Sequence, residues 1–252
     1  MDRYFYLSER QWLAIQPHLP QYKGHRPRKD DRLVISGIIH VLQSGCRWRD
    51  APAEYGSYTT LYNRYNRWSA KGHWQYIFRA IVETLSDEDE EISLDSTHVK
   101  AHRCAGGGKG GPAVQAIGIS RGGRNTKIHA ISDRKCRPLA LCLTQGQTAD
   151  IKGAFLLADD LPKVEYFLGD KAYDAMSFRD ILKRKRIGAV IPSRRNRKRP
   201  IPHDKKRYRG RNAVERMFGR LKDFRRVATR YDKLARNFMA AICIAALLCY
   251  WI

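Results

Sequence analysis

The sequence predicts an α/β protein in which a small all-α, helix-turn-helix-like domain precedes a mixed-sheet core. Three observations carry this. Residues 1–85 show helical periodicity with recognisable caps, and SDEDEE (86–91) puts five acids in a row inside a basic chain. Beyond that run, a hairpin pattern is followed by short apolar strands alternating with helices. The division read from this is a helical domain at 1–85, an acidic solvated linker at 86–91 and a core domain at 92–252.

In the first domain, Ser8 and Gln11 form a capping-box pattern that opens a helix, and Pro20 and Gly24 close it. Asp30 or Asp31 caps a second helix carrying Leu33, Val34, Ile35, Ile38, Ile39 and Leu42, with Gly45 as its stop. A third begins near Ser57 and runs through TTLYNRYNRW. On it Leu61, Tyr65 and Trp68 share one face, and Thr60, Asn63, Arg64 and Arg67 another. Asn and Arg on one face suit hydrogen bonding to base edges and phosphates. An ordinary solvated face is the competing reading.

In the core, EISLDSTHV reads as a strand, and TKIHAISD and PLALCLT as a hairpin around RKCR. VEYFLGD and IGAVIPS read as short apolar strands separated by the helical stretch AMSFRDILKRKR. Two helices follow, from about 211 and about 233. The tract AGGGKGG (105–111) formally contains GxGxxG, but no helical pattern follows it and no acid stands where a ribose partner belongs. It reads as a loop.

Composition narrows the function. The 252 residues include 48 Lys and Arg, for a net charge of +23, which favours a polyanionic partner. Six cysteines form no CxxC pair, so reduced thiols are expected rather than a disulfide framework. His98, His102 and Cys104 lack the second half-site that a structural zinc needs. The apolar run FMAAICIAALLCYWI has 15 residues, short of the roughly 20 that span a bilayer, and no secretory leader pattern is present. No membrane association is expected.

Three acids stand out. Asp95 interrupts the alternation of its strand, and Asp170 closes an apolar strand, where α/β proteins gather their sites. Asp174 competes with it. Glu215 lies on a helix whose Arg211, Glu215, Lys222 and Arg226 fall within about 60° of one another at 100° per residue, while Val214, Met217, Leu221 and Phe224 take the opposite arc. Carboxylates from two strands and a helix can converge on divalent metal for phosphodiester chemistry. Residues 179–211 hold 15 Lys or Arg against two acids, and Pro192, Pro200 and Pro202 interrupt them, so Arg194, Arg195 and Arg197 are read as a loop tracking a DNA backbone.

Tyr208, Arg211, Glu215 and Lys222 complete the Y-x2-R-x3-E-x6-K pattern, and on it the chain resembles the DDE transposases of bacterial insertion sequences. LDSTHVKAH, GISRGGRNTKIHAISD, GDKAYD, ATRYDKLARNF and the N-terminal SGCRWRDAPAEYG with TTLYNRYNRW are similar to the insertion-sequence-five family. The resemblance implies a ribonuclease-H-like catalytic core in which Asp95, Asp170 and Glu215 hold two Mg²⁺ (or Mn²⁺) ions, with Tyr208, Arg211 and Lys222 contacting DNA. It implies cleavage at the element's ends and transfer of the 3′-OH into target DNA, by a homo-oligomer on DNA in the bacterial cytoplasm, associated with the nucleoid. Two alternatives stay open: a transposase-derived DNA-binding protein without catalysis, and a plain metal-dependent nuclease.

Overall fold

The computed structural model describes residues 4–21 and 29–252. Its elements are α1 (Glu9–Ile15), α2 (Asp31–Ser44), α3 (Tyr58–Ala70), α4 (His73–Leu85), β1 (Glu91–Ala101), α5 (Gly111–Val114), β2 (Gly118–Ser120), β3 (Gly123–Ser132) and β4 (Pro138–Gln145). There follow α6 (Asp150–Leu156), β5 (Tyr166–Gly169), α7 (Met176–Arg184), β6 (Gly188–Val190), α8 (Lys205–Tyr208), α9 (Asn212–Leu221), α10 (Arg225–Ala228), β7 (Thr229–Arg230) and α11 (Ala235–Tyr250).

The chain forms two compact units, neither contiguous: residues 1–85 with 102–108 and 221–252, and residues 86–101 with 109–220. This differs from the contiguous division at 1–85 and 92–252, and the C-terminal helix is the physical reason. α11 buries residues on every side, from Phe238 through Leu247. A helix apolar all round must be enclosed, and α11 packs on α2, α3 and α4. The Tyr65 hydroxyl donates to the Asn237 carbonyl, and Asn237 Nδ2 donates to Asn66 Oδ1 at 3.2 Å.

The remaining helices of that unit follow their capping signals. Ser8 and Gln11 form the reciprocal box that opens α1. Gly24, one of the two expected stops, lies outside the described residues. Asp30 accepts from the Arg32 and Leu33 amides to open α2, and Gly45, at φ 76°, ends it in the left-handed region where glycine is tolerated. α4, which the caps did not announce, buries Trp74, Ile77, Phe78, Ile81 and Val82 on one face.

The second unit is built on a mixed sheet in the order β2-β3-β1-β5-β6, with β4 also on β3. β1 is antiparallel to β3 and parallel to β5, β3 is antiparallel to β4, and β5 is parallel to β6. This long first strand, flanked by an antiparallel hairpin on one side and parallel strands on the other, is the ribonuclease-H-like sheet that was expected. Ile92, Leu94, Phe167, Phe178 and Leu182 form its core with Ala154 and Leu157 from α6 and its end.

The acidic run is exposed over 86–88 and at Glu90, and it is paired with the basic β3–β4 turn. Lys135 Nζ and Arg137 Nη2 bond Asp87 at 2.7 and 2.8 Å, and the Arg134 amide donates to Asp89 at 3.1 Å. Glu91 is the first residue of β1 and is buried. The run therefore neutralises the basic β3–β4 turn. Among the described residues, no helix is long and apolar enough to cross a membrane.

Candidate active site

Asp95 and Asp170 arise from neighbouring parallel strands. In the β1–β5 register Leu94 pairs with Gly169, so the next residue on each strand is one of these acids. Asp170 leaves the sheet at the carboxyl end of β5, where α/β proteins gather their sites, and Asp95 stands beside it within β1, which runs on to Ala101. Burial lifts the Asp95 carboxyl above its ordinary range, and the Asp170 charge adds to that, while the Ser96 amide and Arg211 offset it. Asp170 also caps the following 3₁₀ turn by accepting from the Ala172 amide at 2.8 Å.

Arg211 joins the third acid to the first. Its Nη1 donates to Asp95 Oδ2 at 2.7 Å, and its Nη2 pairs with Glu215 Oε1. Gly210, just before Arg211, passes close to β1 and β5: a Cβ there would meet Glu91 Oε1 at 2.9 Å and Leu168 Cδ2 at 3.3 Å. α9 buries Ala213, Val214, Met217, Phe218 and Leu221 and leaves Glu215 exposed. Tyr208 stands beside Arg211, whose guanidinium lies 5.8 Å from its ring.

Three hard oxygen donors suit Mg²⁺ or Mn²⁺. The Tyr173 hydroxyl, buried near Asp95, Asp150 and Asp170, has no hydrogen-bond partner among the described residues, so the surroundings can accept one more polar occupant. The donor set fits a divalent ion. Among the described residues no three acidic, His or Cys side chains are already gathered as a metal cluster; the Arg211 cation bridges Asp95 and Glu215 instead.

Asp174, the competing acid, has a different occupation. Its Oδ1 accepts from Arg179 Nε and Arg197 Nη2 at 2.9 and 2.7 Å, and its Oδ2 from the Arg194 amide and Arg197 Nε at 2.8 and 2.7 Å. Burial pushes this carboxyl up, but the hydrogen bonds from Arg197, the Arg194 amide and Arg179 outweigh it and hold it at about 2. Its lone pairs are used, so Asp174 is not a free metal ligand. Arg194 also bonds the Lys171 and Ala172 carbonyls. Of the three arginines read as DNA-tracking, Arg194 and Arg197 are thus committed to protein, and Arg195 is exposed.

Two further readings are corrected. On α3, Asn63 and Arg67 are exposed and Thr60 half-buried, but Arg64 is buried at 8% and pairs with Asp31. It belongs to the apolar side because its guanidinium also lies 5.1 Å from the Trp68 ring. The cationic stripe of α9 ends at Leu221, since Phe224 is extended (φ −75°, ψ 107°) and buries its ring. Lys222 follows the helix, half-buried, with burial lowering its ammonium. Arg226 is buried and donates to the Cys46 carbonyl at 2.8 Å.

One polar group had no sequence signal. Ser96 Oγ donates to Asp150 Oδ1 at 2.6 Å, and Lys127 Nζ to the same atom at 2.7 Å. Ser96 faces away from Asp95 by strand alternation, so this network fixes β1 from behind the acid. No spacing links positions 96, 127 and 150; only the fold does.

The family described as "Transposase DDE domain" matches residues 86–252, and that described as "Putative transposase of IS4/5 family" matches residues 7–78. "Putative transposase for insertion sequence element IS6501" of Brucella ovis is 32% identical over 121 residues, covering 48% of this chain and 93% of that one. "Uncharacterized protein y4sN" of Sinorhizobium fredii is 35% identical over 124 residues, 46% of this chain and 96% of that one. Among solved structures, a pre-cleavage Mos1 transpososome is 12% identical with a TM-score of 0.29, covering 96% of this chain and 85% of that chain. A likeness that loose carries no structural argument.

Proposed function

The chain belongs to the DDE transposases of the insertion-sequence-five type, and from that premise we propose that it binds the ends of an insertion sequence, cleaves them and joins the 3′-OH to target DNA. The observation that carries the proposal is the pair Asp95 and Asp170, each the residue after the Leu94–Gly169 pair of the adjacent parallel strands β1 and β5, with Arg211 tying Glu215 to Asp95.

Asp95, Asp170 and Glu215 would hold two Mg²⁺ or Mn²⁺ ions, which when bound supply Lewis acidity and a water nucleophile. Arg211 moves off Asp95 and Glu215 and turns to a phosphate oxygen, exchanging one charge-assisted bond for another. Tyr208 and Lys222 contact the DNA near the element's end. Thr60, Asn63 and Arg67 read base edges and phosphates from α3. No side chain forms a covalent bond to DNA, since the freed 3′-OH is itself the second nucleophile. The protein acts as a homo-oligomer on DNA, in the cytoplasm at the nucleoid.

The test is a labelled duplex carrying the flanking element ends, incubated with protein, Mg²⁺ and a target plasmid. Cleavage followed by joining is expected. Binding without cleavage would instead favour a DNA-binding protein, and cleavage without joining a nuclease. Asp170→Ala should abolish cleavage while affinity for end DNA stays unchanged or rises slightly, because a ligand and a negative charge are both removed. Loss of affinity together with cleavage would make Asp170 structural.

A further inference from the structure

Between β6 and α8 the chain makes a closed loop. Ser193 Oγ donates to the Ile201 carbonyl at 3.2 Å and accepts from the Ile201 amide at 2.8 Å, pinching the ends of RRNRKRP together. Asp174 then docks the loop through three hydrogen bonds, one from the Arg194 amide and two from the Arg197 guanidinium, and Arg194 reaches the Lys171 and Ala172 carbonyls at 3.2 and 2.7 Å. Arg179 completes the seat by donating to the Ile191 carbonyl at 2.8 Å. The Lys171 and Ala172 carbonyls directly follow Asp170.

The cations of the loop therefore divide in two. Arg194 and Arg197 spend their guanidiniums on Asp174 and on main-chain oxygens. Arg195, Lys198 and Arg199 are exposed and have no protein partner among the described residues. Three cations on one short, closed loop, held against the segment after Asp170, have the chemistry of a sugar-phosphate backbone site.

We propose that Asp174 is the positioning residue of a phosphate-binding loop, and that Arg195, Lys198 and Arg199 are the side chains that contact the nucleic-acid backbone. The proposal rests on the DNA-strand chemistry proposed above and assigns which residues of this chain meet the strand. The buried Asp174 carboxylate pairs with the Arg197 guanidinium and accepts from the Arg194 amide, and so fixes the backbone from which the outer three project.

The test uses the full-length protein and a random-sequence labelled duplex, titrated at several salt concentrations between about 50 and 200 mM, the range over which phosphate contacts change affinity steeply. Changing Arg195, Lys198 and Arg199 together to Gln should reduce the slope of log K against log salt by roughly 0.9 for each phosphate no longer neutralised, up to about 2.7. Asp174→Asn should reduce the slope part of the way. The triple change should then remove less in the Asp174→Asn background than in the parent, the non-additivity expected of groups that act together. Should Asp174→Asn fail to fold, Arg197→Gln takes its place in the cycle, since it cuts the same dock from the loop's side. A parent-like slope in the triple variant overturns the assignment of the three cations. Equal losses in both backgrounds overturn the positioning role. If the parent cuts and joins DNA yet the triple variant keeps its slope, only the loop assignment fails. If the parent binds duplex with a steep salt dependence that the triple variant loses, yet cuts nothing, the transposase reading fails and the loop stands.

Discussion

Arg64 and Arg211 are both arginines bound to a carboxylate, and their surroundings give them opposite parts to play. Arg211 is half-buried and shared between two acids, one of them exposed, so water and a phosphate can both compete for it. Arg64 is enclosed: its side chain is 9% exposed and that of Asp31 15%. Breaking such a pair from one side strands the other charge, at a cost of about 3–5 kcal/mol. Arg64→Ala is therefore expected to lower unfolding free energy in urea by roughly 3 kcal/mol, whereas Asn63→Ala leaves it nearly unchanged. An Arg64→Ala protein of parental stability that has lost only its preference for end DNA would restore Arg64 to the reading face. His129 makes a second residue-scale case. Burial pushes its imidazole from 6.5 down to about 4, with Lys127 and His98 adding to the effect and Asp150 opposing it. The unfolded chain takes up this proton below about 6.5 and the folded chain only near 4, so the stabilisation is full above 6.5 and is lost as pH falls toward 4. Stability should thus fall more steeply between pH 6.5 and 4 in the parent than in His129→Gln, as read by urea unfolding at each pH.

At the scale of elements, local chemistry was legible wherever it is local. Ser8 with Gln11, Asp30 and Gly45 each act on backbone groups within four residues, and each cap forms as read. Asp30→Ala should cost about 1 kcal/mol, seen as a lower urea midpoint with an unchanged m-value; no change would mean that Asp31 takes over the cap. Strand positions were legible for the same reason: apolar runs such as VEYFLGD are both short and bounded. The β3–β4 hairpin was legible too, from the turn RKCR between its strands, but the side-chain partners distant in sequence were not. Nothing near Asp174 in the sequence announces that Arg179, Arg194 and Arg197 converge on it, because the partners come from a helix and from a loop 20 and 23 residues away. The ion-pair partners of the acid run were hidden for a related reason. Five consecutive acids read as solvated when taken alone, but the β3–β4 turn brings Arg134, Lys135 and Arg137 to them from more than 40 residues on. The candidate acids themselves were legible as positions, through strand ends and the Y-x2-R-x3-E-x6-K pattern. The Arg211 bridge between them was not, since a helical wheel gives the direction of a side chain and not its partner.

At the scale of the molecule, compactness does not follow chain order. α11 is separated from α3 and α4 by the whole second unit in sequence, yet it completes their core. The contacts are polar as well as apolar, since the Tyr65 hydroxyl is buried and its hydrogen bond is made to Asn237 on α11. Without α11, the parts of α3 and α4 that pack on it, Tyr65 among them, would lose cover, at a transfer cost of about 1.5–3 kcal/mol for each fully exposed large side chain. Against a total stability on the order of 5–15 kcal/mol, a few such residues decide whether the unit folds. A fragment of residues 1–85 is therefore expected to lack a cooperative thermal transition and to show dispersed amide signals only when a peptide of residues 221–252 is added. A fragment that unfolds cooperatively on its own would mean that the three-segment unit is not required for stability. Deletion of α11 from the full chain should then cost DNA-end recognition no more than any other distant truncation. If instead the fragment is unfolded, the same deletion should abolish the binding proposed for α3 while the second unit keeps its sheet, because α3 has lost the helix that packs on it.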